Sequence, residues 1–196
     1  MHNTSRGFTL IELMVTTGIF VFMTALIIAK YGSFNQGTLL TNLGYDTALM
    51  VRTAQNAGLN AISSETSTQN QSYGVMLTVN PKVTSVIEYY QDLDGNGLLD
   101  KTDTLLSLYN MKRGAYISNL CVGADAADCN PIYTVSISYK RPNPDAVIYG
   151  TDANQVTTQR MDYARITLTS GTDSRSVEVY RNGQISVIET PPPVGP

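Results

Sequence analysis

Histidine is nearly absent from this chain. Of 196 residues only His2 is one, so beyond that position no imidazole exists for general-base chemistry or metal ligation. That excludes the Ser-His and Cys-His nucleophile schemes. Positive charge is scarce too: 13 Lys and Arg against 16 Asp and Glu leave a formal charge of −3, which argues against a broad cationic surface for nucleic acid. Cysteine occurs only as Cys121 and Cys129. The length accommodates one membrane helix and one further domain of common size, not a second large domain.

From residue 8 to residue 29 charge is missing except at Glu12, a run of 22 residues. As a helix rising about 1.5 Å per residue it is long enough to cross a hydrocarbon core of about 30 Å. Secretory signals have a shorter apolar core and a small-x-small cleavage site, whereas this span runs into Lys30 and Tyr31, so a membrane anchor is the better reading. Glu12 is the anomaly, because a carboxylate inside a bilayer costs about 2.5–3.5 kcal/mol on insertion scales. Its place near the helix N-terminus offsets a little of that. A better partner is an amine in the same layer. Cleavage between Gly7 and Phe8 would create one on a neighbouring copy, and that pairing implies assembly.

The stretch Gly7-Phe8-Thr9-Leu10-Ile11-Glu12-Leu13, a short polar leader running into an apolar helix, resembles the prepilin family. The resemblance implies that residues 1–7 are a leader, that a prepilin peptidase cuts after Gly7 on the cytoplasmic side and N-methylates Phe8, and that 8–30 is the membrane-spanning helix of a filament core. Glu12 would direct docking into a helical filament. The implied partners are other copies or other pilins, the peptidase and the membrane assembly machinery. The implied location is the cytoplasmic membrane, single-pass with the N-terminus cytoplasmic, and after assembly a cell-surface or periplasm-spanning filament. Loss of the leader would remove His2 and Arg6, leaving no imidazole and a more acidic balance. The competing reading is a signal anchor with a chance glutamate.

Past the membrane span, Leu43, Thr47, Met50, Ala54, Ala57 and Ala61 recur at three- and four-residue steps, one face of a helix. This predicts one long helix from about residue 8 to about 62, its second half packed by that stripe on a globular domain. Gly32, Gly37 and Gly44 each cost about 1 kcal/mol relative to alanine and mark where it could bend. A polar loop is expected over 63–72. Strands are expected over 73–79, 84–90, 104–109, 133–140, 164–169, 176–180 and 184–188. Asn182-Gly183 is expected to form a type I′ hairpin turn, and 191–196, with four prolines, cannot join a ladder. The fold class is therefore α+β and pilin-like: one long N-terminal helix, first half transmembrane, packed on an antiparallel sheet. The helix second half and the exported sheet domain fill 31–190.

Residues 92–103, DLDGNGLLDKTD, follow the calcium-loop rule of oxygen ligands at alternate positions, glycine sixth and a carboxylate twelfth. Asp92, Asp94, Asn96, Asp100 and Asp103 would supply side-chain oxygens, Asp100 through water, and Leu98 its carbonyl. Ca²⁺ fits this all-oxygen set better than zinc. Asp103 is shorter than the usual glutamate, and the preceding residues read as strand, so this is not an EF-hand pair. An acidic turn without metal is the alternative. Similar loops occur between strands in the pseudopilin and minor-pilin branches of the family. Cys121 and Cys129 fall in a Gly/Ala/Asp-rich loop on the side where oxidation is permitted. They read as a local disulfide contributing about 2–3 kcal/mol, or as two free thiols.

Three function classes remain. A structural subunit of a type IV pilus or related filament leads. The second is a binding module, a minor pilin or type II secretion pseudopilin serving adhesion, priming or DNA uptake, with Tyr89, Tyr90, Lys112, Arg113, Lys140 and Arg141 as its only suggestive cluster. Strand packing with one wet edge for the tyrosines and solvated loop ends for the paired bases are the better account of those residues, and no basic-aromatic repeat supports a nucleic-acid groove. The third is an enzyme using the loop carboxylates as an acid/base pair, for which their calcium-ligand spacing is the more economical account.

Overall fold

A computed structural model of the chain describes residues 8–60, 71–79, 85–111 and 114–189. The expected 63–72 loop except for its last two residues, the 191–196 tail, Gly7, Ala61, Lys112 and Arg113 lie outside them. The chain divides after Thr38 into two units.

Helix α1 is Leu10–Asn60, and Gly32, Gly37 and Gly44, expected as interruptions, all lie within it. In the first unit its Leu10–Ile28 segment has a mean hydropathy of 2.2 and buries no side chain. A helix apolar on every side is stable only in apolar surroundings, and this one is long enough to cross a membrane.

In the second unit α1 buries Leu40, Leu43, Thr47, Ala48, Val51 and Ala54. The expected stripe is found, with Met50 and Ala57 half-buried at its flank and Val51 and Gly58 at its centre. Ten strands follow: β1 (Ser72–Thr78), β2 (Val86–Asp92), β3 (Thr104–Asn110), β4 (Tyr116–Gly123), β5 (Cys129–Ile132), β6 (Thr134–Lys140), β7 (Asn143–Thr151), β8 (Tyr163–Ser170), β9 (Asp173–Tyr180) and β10 (Ile185–Glu189). They form two five-stranded sheets, β3-β2-β1-β6-β7 and β10-β9-β8-β4-β5, antiparallel throughout.

One sheet was expected; the strands divide between two, and β4, β5 and β7 are additional to the expected ones. β5 carries Pro131 on a sheet edge, where a missing donor costs nothing. β7 opens on Asn143-Pro144, and β4 carries the polar pair Ser118-Asn119. The cysteines accordingly sit in strands β4 and β5 rather than in the loop between them, and they are bonded, Cα–Cα 5.3 Å.

The hairpin between β9 and β10 also differs from expectation. Gly183 has φ +83° while Asn182 is not in the positive-φ region, and Gly183 N donates to Tyr180 O at 2.9 Å. The turn therefore closes one residue early, with glycine in the left-handed position after it, and not as a type I′ turn.

The inner faces of both sheets, with Val75, Leu77, Ile87, Val135 and Ile137 from the first and Ile117, Ile166, Leu168, Val177 and Val179 from the second, join the α1 stripe in one core. Full burial of each such side chain contributes about 1.5–3 kcal/mol. Along α1, Tyr109 Oη of β3 donates to Asp46 Oδ2 at 3.0 Å, and Gln55 Nε2 donates to Gly183 O at 3.2 Å.

Two helix glycines separate propensity from packing. A Cβ at Gly58 would lie 2.3 Å from Tyr139 O and 2.8 Å from its carbonyl carbon, whereas one at Gly44 would meet only Val187 Cγ1 at 3.1 Å. Alanine gains about 1 kcal/mol of helix propensity at either site, but overpacking against fixed backbone costs about 1–3 kcal/mol. Gly58→Ala is expected to lower the melting temperature of the chain in detergent micelles and Gly44→Ala to leave it equal or higher. Equal shifts for the two variants would refute the close-approach argument.

Candidate assembly and metal sites

The start of α1 is a capping box. Thr9 Oγ1 accepts from Glu12 N at 3.3 Å, while Glu12 Oε2 accepts from Thr9 N at 3.3 Å and from Thr9 Oγ1 at 3.1 Å. Helix N-termini leave four N–H groups without partners, and a Thr-x-x-Glu box satisfies two of the terminal amides reciprocally. The spacing Thr9-Leu10-Ile11-Glu12 carries this signal in the sequence, and a reading centred on Glu12 alone misses Thr9. Further along, Thr16, Thr17 and Thr24 return their hydroxyls to carbonyls four residues back at 2.8–2.9 Å. The apolar segment thus presents no unpaired hydroxyl from these threonines. Phe8 is exposed.

The acidic loop joins β2 to β3. The strands bring Asp92 and Asp103 to its two ends, and a carboxylate oxygen from each of Asp92, Asp94 and Asp103 lies within 4.8 Å of the others. Asp92 is fully buried. Its Oδ1 accepts Gly95 N at 2.6 Å, and its Oδ2 accepts Gly97 N at 2.9 Å together with the Ser72 hydroxyl. Asp103 Oδ1 accepts Leu93 N and its Oδ2 accepts Asp100 N, both at 2.9 Å. Asn96 Nδ2 donates to Asp94 at 2.8 Å and to Asp100 at 3.0 Å, and Asn96 Oδ1 accepts Leu98 N at 2.7 Å. Asp100 stands apart from the carboxylate trio and accepts from Thr102 N at 2.7 Å. Gly95 and Gly97 have φ +77° and +84°, the left-handed region that glycine enters without strain.

Burial pushes the Asp92 carboxyl above its ordinary value, and the bonds from Ser72, Gly97 and Gly95 pull it back in part. A carboxyl raised in the folded state contributes stability below its unfolded pKa and loses it as pH rises through the folded one. At neutral pH an ionised Asp92 is therefore a cost, and a nearby cation would reduce it. Hydrogen bonds from Thr102 hold Asp100 below the usual range. Three carboxylates at close quarters form an all-oxygen donor set that suits a hard cation.

The tyrosines of the suggestive cluster are covered on opposite faces of the first sheet, Tyr89 against the core and Tyr90 beneath the acidic loop. Tyr90 is wholly buried, and Tyr89 is half-buried with its ring 6.4 Å from that of Tyr73, the strand-packing alternative. Sequence reasoning also missed a polar network on the second sheet. Glu178, 6% exposed, accepts from the Tyr163 hydroxyl, from Tyr180 Oη at 3.1 Å and from Arg165 Nη2 at 3.1 Å. Only β8–β9 register places these residues side by side, and no local spacing announces it.

Residues 2–28 match a family model described as the prokaryotic N-terminal methylation motif. Residues 2–28 thus carry the prepilin-type motif found at the N-terminus of type IV pilins and pseudopilins. The motif implies peptidase processing and assembly with other pilins in a membrane context, and with the exposed apolar helix it fits a membrane-anchored pilin. Comparison with curated proteins and with solved structures found no match.

Proposed function

We propose that this chain is a structural subunit of a type IV pilus or related filament and performs no catalysis. The observation that carries the reading is a carboxylate fixed by its own capping box at the head of an apolar helical segment, Leu10–Ile28, that buries none of its side chains. Such a helix needs an apolar environment at every stage: lipid before assembly, neighbouring helices afterwards. Glu12 needs a charge partner there, and Phe8, freed and N-methylated after cleavage at Gly7, supplies an amine from an adjacent copy. Residues 1–7 are the leader, 8–30 the filament-core helix, 31–190 the exported part and 191–196 a Pro-rich tail. The acidic loop between β2 and β3 favours the minor-pilin or type II secretion pseudopilin branch, and copy number in isolated filaments decides between that and a major subunit.

The loop binds Ca²⁺ in this reading, held by Asp92, Asp94, Asn96, the Leu98 carbonyl and Asp103, with Asp100 acting through water. The ion supplies positive charge between carboxylates that otherwise repel, so its role is to staple the loop. A signalling role does not suit the weak affinity usual for extracellular sites, about 10⁻⁴–10⁻³ M.

Gly7 replaced by leucine is expected to block leader removal, which mass spectrometry will read as a retained segment 1–7. A mature Phe8 terminus in that variant contradicts the processing site. Glu12→Ala is expected to insert in the membrane normally, since it removes a charge from an apolar span, yet to enter filaments poorly. A normal filament yield with this variant as the sole source of subunit sinks the docking role.

The full chain in detergent micelles is expected to melt at higher temperature in 10 mM calcium than in chelator. At the affinities above, binding to the folded state alone stabilises by about 1.4–2.7 kcal/mol. Asp94→Ala or Asp103→Ala is expected to erase the gain, and magnesium, which demands a tighter octahedral shell, to substitute poorly. Identical melting with calcium and with chelator rejects the metal.

A further inference from the structure

Most of the 93–103 segment is exposed and bonded only to itself, but its sixth position as a ligand loop, Gly97, is buried against the first sheet. Gly74 pairs with both Tyr90 and Ser138, Ser138 with Val147, and Ser136 with Tyr149. Directly paired residues share a face, so these six lie on one side of the sheet, opposite the core residues Val75, Ile137 and Ile148 that alternate with them.

Gly97 rests on that face. Its carbonyl accepts from Tyr90 Oη at 3.1 Å and from Ser136 Oγ at 3.0 Å, and the two hydroxyls are 2.6 Å apart. A Cβ on Gly97 would come within 2.9 Å of Tyr149 Cε2 and 3.1 Å of Val147 Cγ1. The Tyr90 ring reaches this point over Gly74, where a Cβ would lie 2.6 Å from the ring. On the preceding peptide, the N–H of the same Gly97 holds Asp92, which Ser72 of β1 also grips.

We propose that Tyr90 and Ser136 are positioning residues for the cation loop: by clamping the Gly97 carbonyl to β2 and β6 they fix Asp92 and the turn that carries Asp94 before an ion arrives. The proposal rests on the calcium reading above. Its physical basis is preorganisation. A loop ordered by folding does not have to be ordered by the ion, so more of the ion's interaction free energy appears as affinity. The coupling is reciprocal, and a bound ion tightens the clamp. Neither hydroxyl needs to touch the metal, and the clamp lies more than thirty residues from the loop in sequence on its β6 side.

The test is calcium titration of the full chain in detergent micelles, followed by calorimetry and by melting temperature, for the wild type, Tyr90→Phe, Ser136→Ala and the double variant. Tyr90→Phe keeps the ring over Gly74, so it keeps the test readable if the double variant does not fold. The double variant is expected to need roughly tenfold more calcium for half-saturation, and each single variant a few-fold more, on the usual worth of a buried hydrogen bond. A merely structural role predicts lower melting in chelator with an unchanged half-saturation point, and that result overturns the proposal while leaving the calcium site standing. A wild type indifferent to calcium overturns the site and the clamp together.

Discussion

Burial of one stripe of α1 among the inner faces of two sheets is the constraint on which the Leu39–Pro196 unit depends. The helix meets the first sheet at Tyr139 and Tyr109 and the second at Val187 and Gly183, so its residues complete a core that neither sheet closes by itself. The side chains chosen for that stripe follow from the distance of approach. Gly58 stands where the helix meets the Tyr139 backbone, and Leu40, Leu43, Ala48, Val51 and Ala54 are the buried side chains of the stripe. Small residues here are a condition of packing density and not a weakness of the helix, because a well-filled interior tolerates neither voids nor overlap.

The same helix carries two incompatible surface patterns in sequence. Up to Ile28 it is apolar all round, and from Leu40 it has one buried face with Tyr45, Asp46, Arg52 and Asn56 among the exposed positions. The first pattern excludes water from every side and the second from one side only. That contrast alone separates an anchor from a soluble packing helix, which is why the α+β reading and the anchor were legible before any coordinates. Periodicity works when one element faces one environment over several turns.

What was not legible has a common cause. β5 has only four residues with Pro131 among them, β7 carries Pro144 in second place, and β4 has the polar pair Ser118-Asn119 inside it. The type I′ expectation at Asn182-Gly183 failed for a related reason: Asn-Gly permits positive φ at both positions, but the register of Ile185 with Val179 needs only the glycine there. In the acidic loop the spacing of side-chain oxygens was readable because it is local. The clamp at Gly97 was not, since it requires knowing that β6 lies beside β1 and that Ser136 faces away from the core. The capping box lay between these cases, present as Thr-x-x-Glu and overlooked because the anomaly of Glu12 drew the reading outward to another chain.

Glu12 and Asp92 pose one physical problem in two settings. Each is a carboxylate in surroundings poor in water, where an ionised group without donors is expensive. Each is met first by donors close in sequence: Thr9 for Glu12, and Gly95 and Gly97 for Asp92, with Ser72 added by the sheet. Local donors orient a carboxylate but carry no full positive charge, so neither group is neutralised within the described residues. At the loop, Lys140 Nζ already lies 2.9 Å from where a Cβ on Gly95 would sit; on the proposed function the remaining demand is met by an amine of a neighbouring copy at Glu12 and by a cation at the loop. In both places local donors fix the carboxylate's geometry in advance, and on the proposed function assembly and metal binding draw on preorganised carboxylates rather than on flexible ones.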